Sequence, residues 1–178
     1  MRTWGKILGG QQGLTLMELM VVIAILAIMA GMSMSALSEY IPDYRLQSAA
    51  RELYANMHKA KMEAMKRNQD VRIVFDVANS RYAINYEDND GNTVNINVVN
   101  FSKYDNDVSY GIGDADFKGS SENVVSYDDN FFSFKPTGTC TKSGYVYLTN
   151  RKGSAFAIGT LQSGIIAVLK WNNSDWET

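Results

Sequence analysis

The chain has 178 residues, 46% of them hydrophobic and 11% aromatic, with only 2 Pro. That composition excludes a disordered chain and suits one packed, β-containing domain with a membrane-sized appendage. With 17 Lys+Arg against 19 Asp+Glu and a formal net charge of -2, the overall basic footprint of a nucleic-acid binder is missing.

Residues 14–37 come first and carry a single ionisable side chain, Glu18; the only charges ahead of them are Arg2 and Lys6. At about 1.5 Å per residue such a helix runs roughly 36 Å, enough for a hydrocarbon core of roughly 30 Å. Three readings compete. A secretory signal peptide would use Arg2 and Lys6 as its basic region and Ser33-Met34-Ser35 as a small-residue cut before Ala36. Its lead-in GKILGGQQG is too long and helix-poor, however, and the acid falls where the hydrophobic region should begin. A plain signal anchor gives no reason for a carboxylate that costs roughly 2.5–3.5 kcal/mol at a bilayer centre. A cut after Gly13 does give one. The new α-amino group belongs to Leu14, four residues before Glu18 and on the same helix face, so ammonium and carboxylate come within pairing distance inside one chain or between neighbours.

The run Gly13-Leu14-Thr15-Leu16-Met17-Glu18, after a short basic leader and before an apolar helix, resembles the class III signal of type IV prepilins and pseudopilins. The resemblance implies that a prepilin peptidase cuts between Gly13 and Leu14 and methylates the Leu14 amine. It also implies that Glu18 serves filament assembly. The family most often places Phe where this chain has Leu14.

Pro42 separates this segment from the next and predicts a kink or short break. Residues 43–68 then repeat apolar side chains at steps of four and three: Leu46, Ala50, Leu53, Met57, Ala60 and Ala64, one stripe of an amphipathic helix. Met57, Met62 and Met65 read as core and packing residues. His58, the only histidine, lies among Lys59, Lys61 and Lys66 and reads as part of a solvated face rather than a ligand.

Beyond Asn68 the period becomes two. Val71, Ile73, Phe75 and Val77 face one way, and Asn79-Ser80 turns the chain into a strand with Tyr82, Ile84 and Tyr86. The acidic stretch Glu87–Asn92 leads to Val94, Ile96 and Val98. It reads as a hairpin turn rather than a calcium loop, because Gly91 is misplaced for an EF-hand and the bidentate Glu is missing. Residues 102–130 are polar, with short apolar pieces at Val108–Ile112 and Val124-Val125, and predict a long loop with one or two short strands. Gly111-Ile112-Gly113 has Asp116 where a dinucleotide fingerprint needs glycine. Strands follow at 131–134, 145–148, 155–158 and 165–171, with turns at Pro136-Thr137-Gly138 and Asn150–Gly153. Cys140 is the lone cysteine, so no internal disulfide forms.

The fold class is therefore α+β: a long N-terminal helix, membrane half then amphipathic half, packed on an antiparallel β-sheet head. The boundaries are a cleaved leader at 1–13, a transmembrane and assembly helix at 14–41, and a periplasmic head at 42–178 with its β region at 70–171. This order, with LQSAARELYANMHKAKMEAMKRNQDVRIVF, FSFKPTGTC, GYVYLTN and IIAVLKW, resembles the H-type pseudopilins of type II secretion and the FimT/FimU-type minor pilins. Two departures stand out. Ser35 occupies the place of the family's mid-helix proline, and the C-terminus NNSDWET lacks the basic tip of DNA-binding relatives. The resemblance implies a non-enzymatic minor subunit of a pseudopilus or pilus, placed at the filament tip. Its anchor would be the bacterial inner membrane, in contact with lipid. Its partners would be the prepilin peptidase, other pseudopilins or minor pilins and the inner-membrane assembly platform. No cofactor, metal or nucleic acid is expected. The alternative is a binding-type minor pilin for DNA uptake or adhesion. With one His, one Cys and no paired acids, little is present from which to build a catalytic site.

Overall fold

The computed structural model of the chain describes residues 13, 15–118 and 122–177, and describes residues 32–37 through their backbone alone. Two units are formed, Met1–Glu39 and Tyr40–Thr178. Helix α1, Leu16–Arg67, contributes to both.

In the first unit the large apolar side chains of α1 from Leu16 to Met29 are between 47% and 77% exposed. No helix is long and apolar enough, among the described residues, to cross a membrane. The stretch expected to do so extends over Leu14 and the side chains of 32–37, which lie outside that description.

In the second unit α1 continues through Pro42 without a break, where the sequence predicted a kink or short break. Proline has no N–H, so one helical hydrogen bond is lost there, but Pro42 is buried and packing holds the backbone helical. The stripe then lands as predicted: Leu46, Ala50, Leu53, Met57, Ala60 and Ala64 are each 0% exposed. Met62 and Met65 are 63% and 54% exposed, because they fall outside that stripe; only Met57 of the three is core. The helix stops at Asn68, whose φ of 53° lets the Gln69 N–H turn back to the Ala64 carbonyl at 3.3 Å in a Schellman-type ending.

The sheet region is two antiparallel sheets rather than one. The first has the order β3-β2-β1-β5, from β1 (Val71–Asp76), β2 (Arg81–Glu87), β3 (Thr93–Asn100) and β5 (Phe131–Phe134). The second has the order β4-β6-β7-β8-β9, from β4 (Val108–Tyr110), β6 (Gly144–Asn150), β7 (Ala155–Thr160), β8 (Ile166–Trp171) and β9 (Trp176–Glu177). In the first sheet Ile73 lies opposite both Ile84 and Phe132, and these side chains meet the helix stripe in one core. Val77, expected to share that face, lies past the strand end and is 36% exposed. A register shift between β2 and β3 leaves Ile96 unpaired, with Ile84 opposite Asn97 and Asn85 opposite Asn95. One extra residue turns every later side chain over, so Val99 is 5% exposed and Val98 is 50% exposed.

The second sheet is covered on both faces. Val146, Leu148, Phe156 and Ile158 join the helix core. Tyr147, Ala157 and Leu169 point the other way, onto Ala115 and Trp176. The polar segment read as a loop thus has a packing role: its residues 112–117 and the C-terminal strand roof the outer face. The Trp176 indole donates to the Asp116 carbonyl at 2.8 Å, and the Lys118 N–H donates to the Tyr147 hydroxyl at 2.8 Å.

Candidate assembly site

Gly13 precedes the helix, and a Cβ there would meet nothing within 4 Å. Leu14 lies outside the described residues, so the Leu14–Glu18 pairing does too. Thr15 is the residue at which the helix is capped. Its Oγ1 accepts from the Glu18 backbone N–H at 3.1 Å, and its carbonyl accepts from the Leu19 N–H at 3.1 Å. Threonine before an N-terminal turn satisfies a donor that has no intrahelical partner. Glu18 sits three residues on, in the first turn, where its charge complements the positive end of the helix dipole.

Thr15-Leu16-Met17-Glu18 therefore has the spacing of a capping box, Thr followed three residues later by Glu. The sequence reading named Gly13, Leu14 and Glu18 and passed over Thr15, although this spacing was legible. Around the carboxylate the surface is apolar: Met17, Val21 and Val22 border it. An exposed helix of Leu, Val, Ile and Met with one acid in its first turn has a large area to bury against lipid or against other helices.

Within the second unit, a polar belt fastens the start of the head helix to the strand connections. Asp43 accepts from Asn150 Nδ2 at 2.7 Å, Ser154 Oγ at 2.8 Å and Lys152 Nζ at 2.9 Å. Arg45 pairs with Asp105 and with the buried Asp107, which Arg151 also reaches at 3.3 Å. Burial pushes the Asp43 carboxyl up, but the hydrogen bonds from Lys152, Ser154 and Asn150 together outweigh it and hold the group below its ordinary value. Glu52 accepts from the Tyr104 hydroxyl at 2.6 Å and pairs with Lys103. None of this belt was predicted, because its partners lie up to 111 residues apart.

His58 is exposed on the helix and meets the Tyr54 ring edge-on, with centroids 4.5 Å apart. Cys140 is 5% exposed, and burial raises its thiol pKa. Among the described residues no three His, Cys, Asp or Glu side chains converge on a metal-sized site.

The family model described as type II transport protein GspH matches residues 49–164. The model of the prokaryotic N-terminal methylation motif matches residues 8–34. Two solved structures of the minor pseudopilin EpsH from the type 2 secretion system of Vibrio cholerae share the fold. One aligns at a TM-score of 0.54 and 10% identity, over 71% of this chain and 97% of that chain. The other aligns at 0.54 and 12% identity, over 74% of this chain and 97% of that one. No curated protein sequence matches the chain.

Proposed function

The chain belongs to the GspH family of type II transport proteins, and from that premise we propose how it works as a minor pseudopilin of type II secretion. A prepilin peptidase cuts between Gly13 and Leu14 and methylates the Leu14 amine. Residues 14–37 hold the protein in the inner membrane with the head, from residue 42 onward, in the periplasm. The helical backbone over residues 16–37 measures about 33 Å, enough for a hydrocarbon core of roughly 30 Å. Assembly transfers this helix from lipid to a bundle of like helices. There the Leu14 ammonium and the Glu18 carboxylate, on this chain or a neighbour, select one axial register. The head contributes lateral contacts to other minor subunits at the tip, above the inner-membrane assembly platform.

The observation that carries this reading is the co-occurrence in one chain of the methylation motif over residues 8–34 and the GspH match over residues 49–164. A binding-type minor pilin for DNA uptake or adhesion is not favoured, since the family match is to a transport component and the net charge is -2. The test is the intact mass and N-terminal sequence of the protein from membranes. A mature chain beginning with methylated Leu14 is expected. A start near Ala36, or an uncut Met1, would overturn the proposal.

A further inference from the structure

Helix α1 carries a second stripe in the head that the protein itself does not cover. Tyr40, Tyr44, Gln47, Arg51 and Tyr54 follow one another at steps of four and three, the spacing that puts side chains on one helix face. Tyr40 is 70% exposed, Tyr44 72% and Tyr54 36%. Beside them runs the helix-facing side of β8. In its register Lys170 lies opposite Phe156, Val168 opposite Ile158 and Ile166 opposite Thr160. The other edge of β8 is paired by β9 only at Lys170 and Trp171.

Helix and strand therefore leave a seam between them, formed by two hollows of about 390 and 510 Å³. From Tyr40 to Tyr54 it is about 21 Å long, close to four helical turns. Its rings and aliphatic side chains are apolar, and its two cations, Arg51 and Lys170, are exposed and form no ion pair among the described residues. Of the bordering acids, Asp43 is engaged by Lys152, Ser154 and Asn150, and Glu177, opposite Lys170 in the β8–β9 register, accepts from Asn172 Nδ2.

We propose that this seam docks a helix of a different filament subunit, with an apolar stripe in the groove and carboxylates against Arg51 and Lys170. The inference rests on the reading of the chain as a pseudopilin and adds the surface and the chemistry of its neighbour. A four-turn groove edged by residues at steps of four and three fits the side-chain spacing of a second helix. Tyrosines suit such an edge, burying the ring while the hydroxyl stays hydrated. A second copy docking by the same face would bring Arg51 and Lys170 against the same cations, which like-charge repulsion opposes.

The experiment places a photoreactive benzoylphenylalanine at Tyr44, at Tyr54 or, as a control, at the exposed Lys59, which lies about 100° around the helix from Tyr40. Each variant is made as the full chain, co-expressed with the other pseudopilins of its secretion system. Cross-links are expected at Tyr44 and Tyr54 and not at Lys59, and the linked peptide should lie in a helix of another pseudopilin. Arg51→Glu with Lys170→Glu should lower the yield about tenfold, and changing the acid beside the linked residue to Lys should restore it. A link to a second copy, to lipid or to a strand would overturn the groove as drawn, as would silence in assembled filaments. The N-terminal mass of the same samples separates the two claims. A methylated Leu14 with silent probes condemns the groove alone, whereas an uncut chain removes both.

Discussion

Asn150 Nδ2 donates to Asp43 Oδ1 at 2.7 Å, closing a loop between residues 107 apart in sequence. With Ser154 and Lys152 on the same carboxylate, this contact fixes the β6–β7 connection against the beginning of the head helix.

A carboxyl held below its ordinary value in the folded state stabilises the fold above the unfolded-state value, about 3.9. That stability is lost as pH falls through the lower folded-state value. The Asp43 side chain is 42% exposed, so solvent screening limits the contribution to roughly 0.5–1 kcal/mol. Asp43→Asn should lower the melting temperature near neutral pH and flatten the loss of stability below about pH 4. Thermal melts of the two proteins from pH 7 to pH 2.5 check this. Parallel curves across the acid range would remove Asp43 as a source of acid sensitivity.

Leu53, at the middle of the buried stripe, is 0% exposed. Leu53→Ala should cost about 2–5 kcal/mol by leaving a cavity. Leu53→Asp should unfold strands together with helix, since it buries an unpaired charge in the core that both sheets share. Circular dichroism of residues 40–178 tests both variants. A Leu53→Asp protein with its β signal and melting point intact would mean that the helix does not pack on the sheets.

The parts legible in the sequence are those in which one periodicity runs unbroken. The stripe from Leu46 to Ala64 and the alternation of Val71, Ile73 and Phe75 with Tyr82 and Ile84 each repeat without interruption, and each is buried as expected. Past Ile84 the pattern misled. Val-Asn-Ile-Asn-Val-Val fits two registers equally, and pairing with β2 decides for Val99. The division into two sheets and the packing of residues 112–117 under Trp176 depend on long-range contacts that local pattern does not encode. At the candidate site, the Thr15 cap was encoded by its distance from Glu18 but was overlooked beside the greater oddity of an acid in an apolar run.

The capping-box spacing sharpens the test of Glu18. Gln serves the third helical position of a capping box as well as Glu does, so Glu18→Gln preserves the helix start and removes only the charge. Membrane insertion should be retained while incorporation into the filament falls. If the variant co-assembles as well as the parent chain, the ion pair with Leu14 is not what the acid is for. Thr15→Ala is the complementary change: it leaves the charge and removes the cap, at about 1 kcal/mol, and should fray the helix start with a smaller assembly defect.

Gly13→Ala isolates recognition by the peptidase. Nothing among the described residues lies within 4 Å of an added Cβ, so the methyl group meets no neighbour there. Slower appearance of the mature mass in membranes would then report a clash inside the enzyme that cuts it. Cutting at the parent rate would show that glycine is dispensable before the scissile bond.

The C-terminal strand offers the last test, because it looks like a polar tail in the sequence and behaves as a roof in the fold. Trp176 is 9% exposed, stands 5.6 Å from the Tyr147 ring and 5.4 Å from the Trp171 ring between centroids, and donates to the Asp116 carbonyl. Trp176→Phe keeps a ring and loses the N–H donor, which should cost about 1 kcal/mol. Trp176→Ala uncovers the outer face of the second sheet, including the fully buried Tyr147, and should cost about 3 kcal/mol. Urea unfolding measures both. The Trp176→Ala protein should also lose near-ultraviolet dichroism from Tyr147, while the core against α1 keeps its far-ultraviolet signal. Loss of helix and sheet together would mean that the roof is part of the main cooperative core. Equal stability of all three proteins would mean that the C-terminal strand does not cover the sheet.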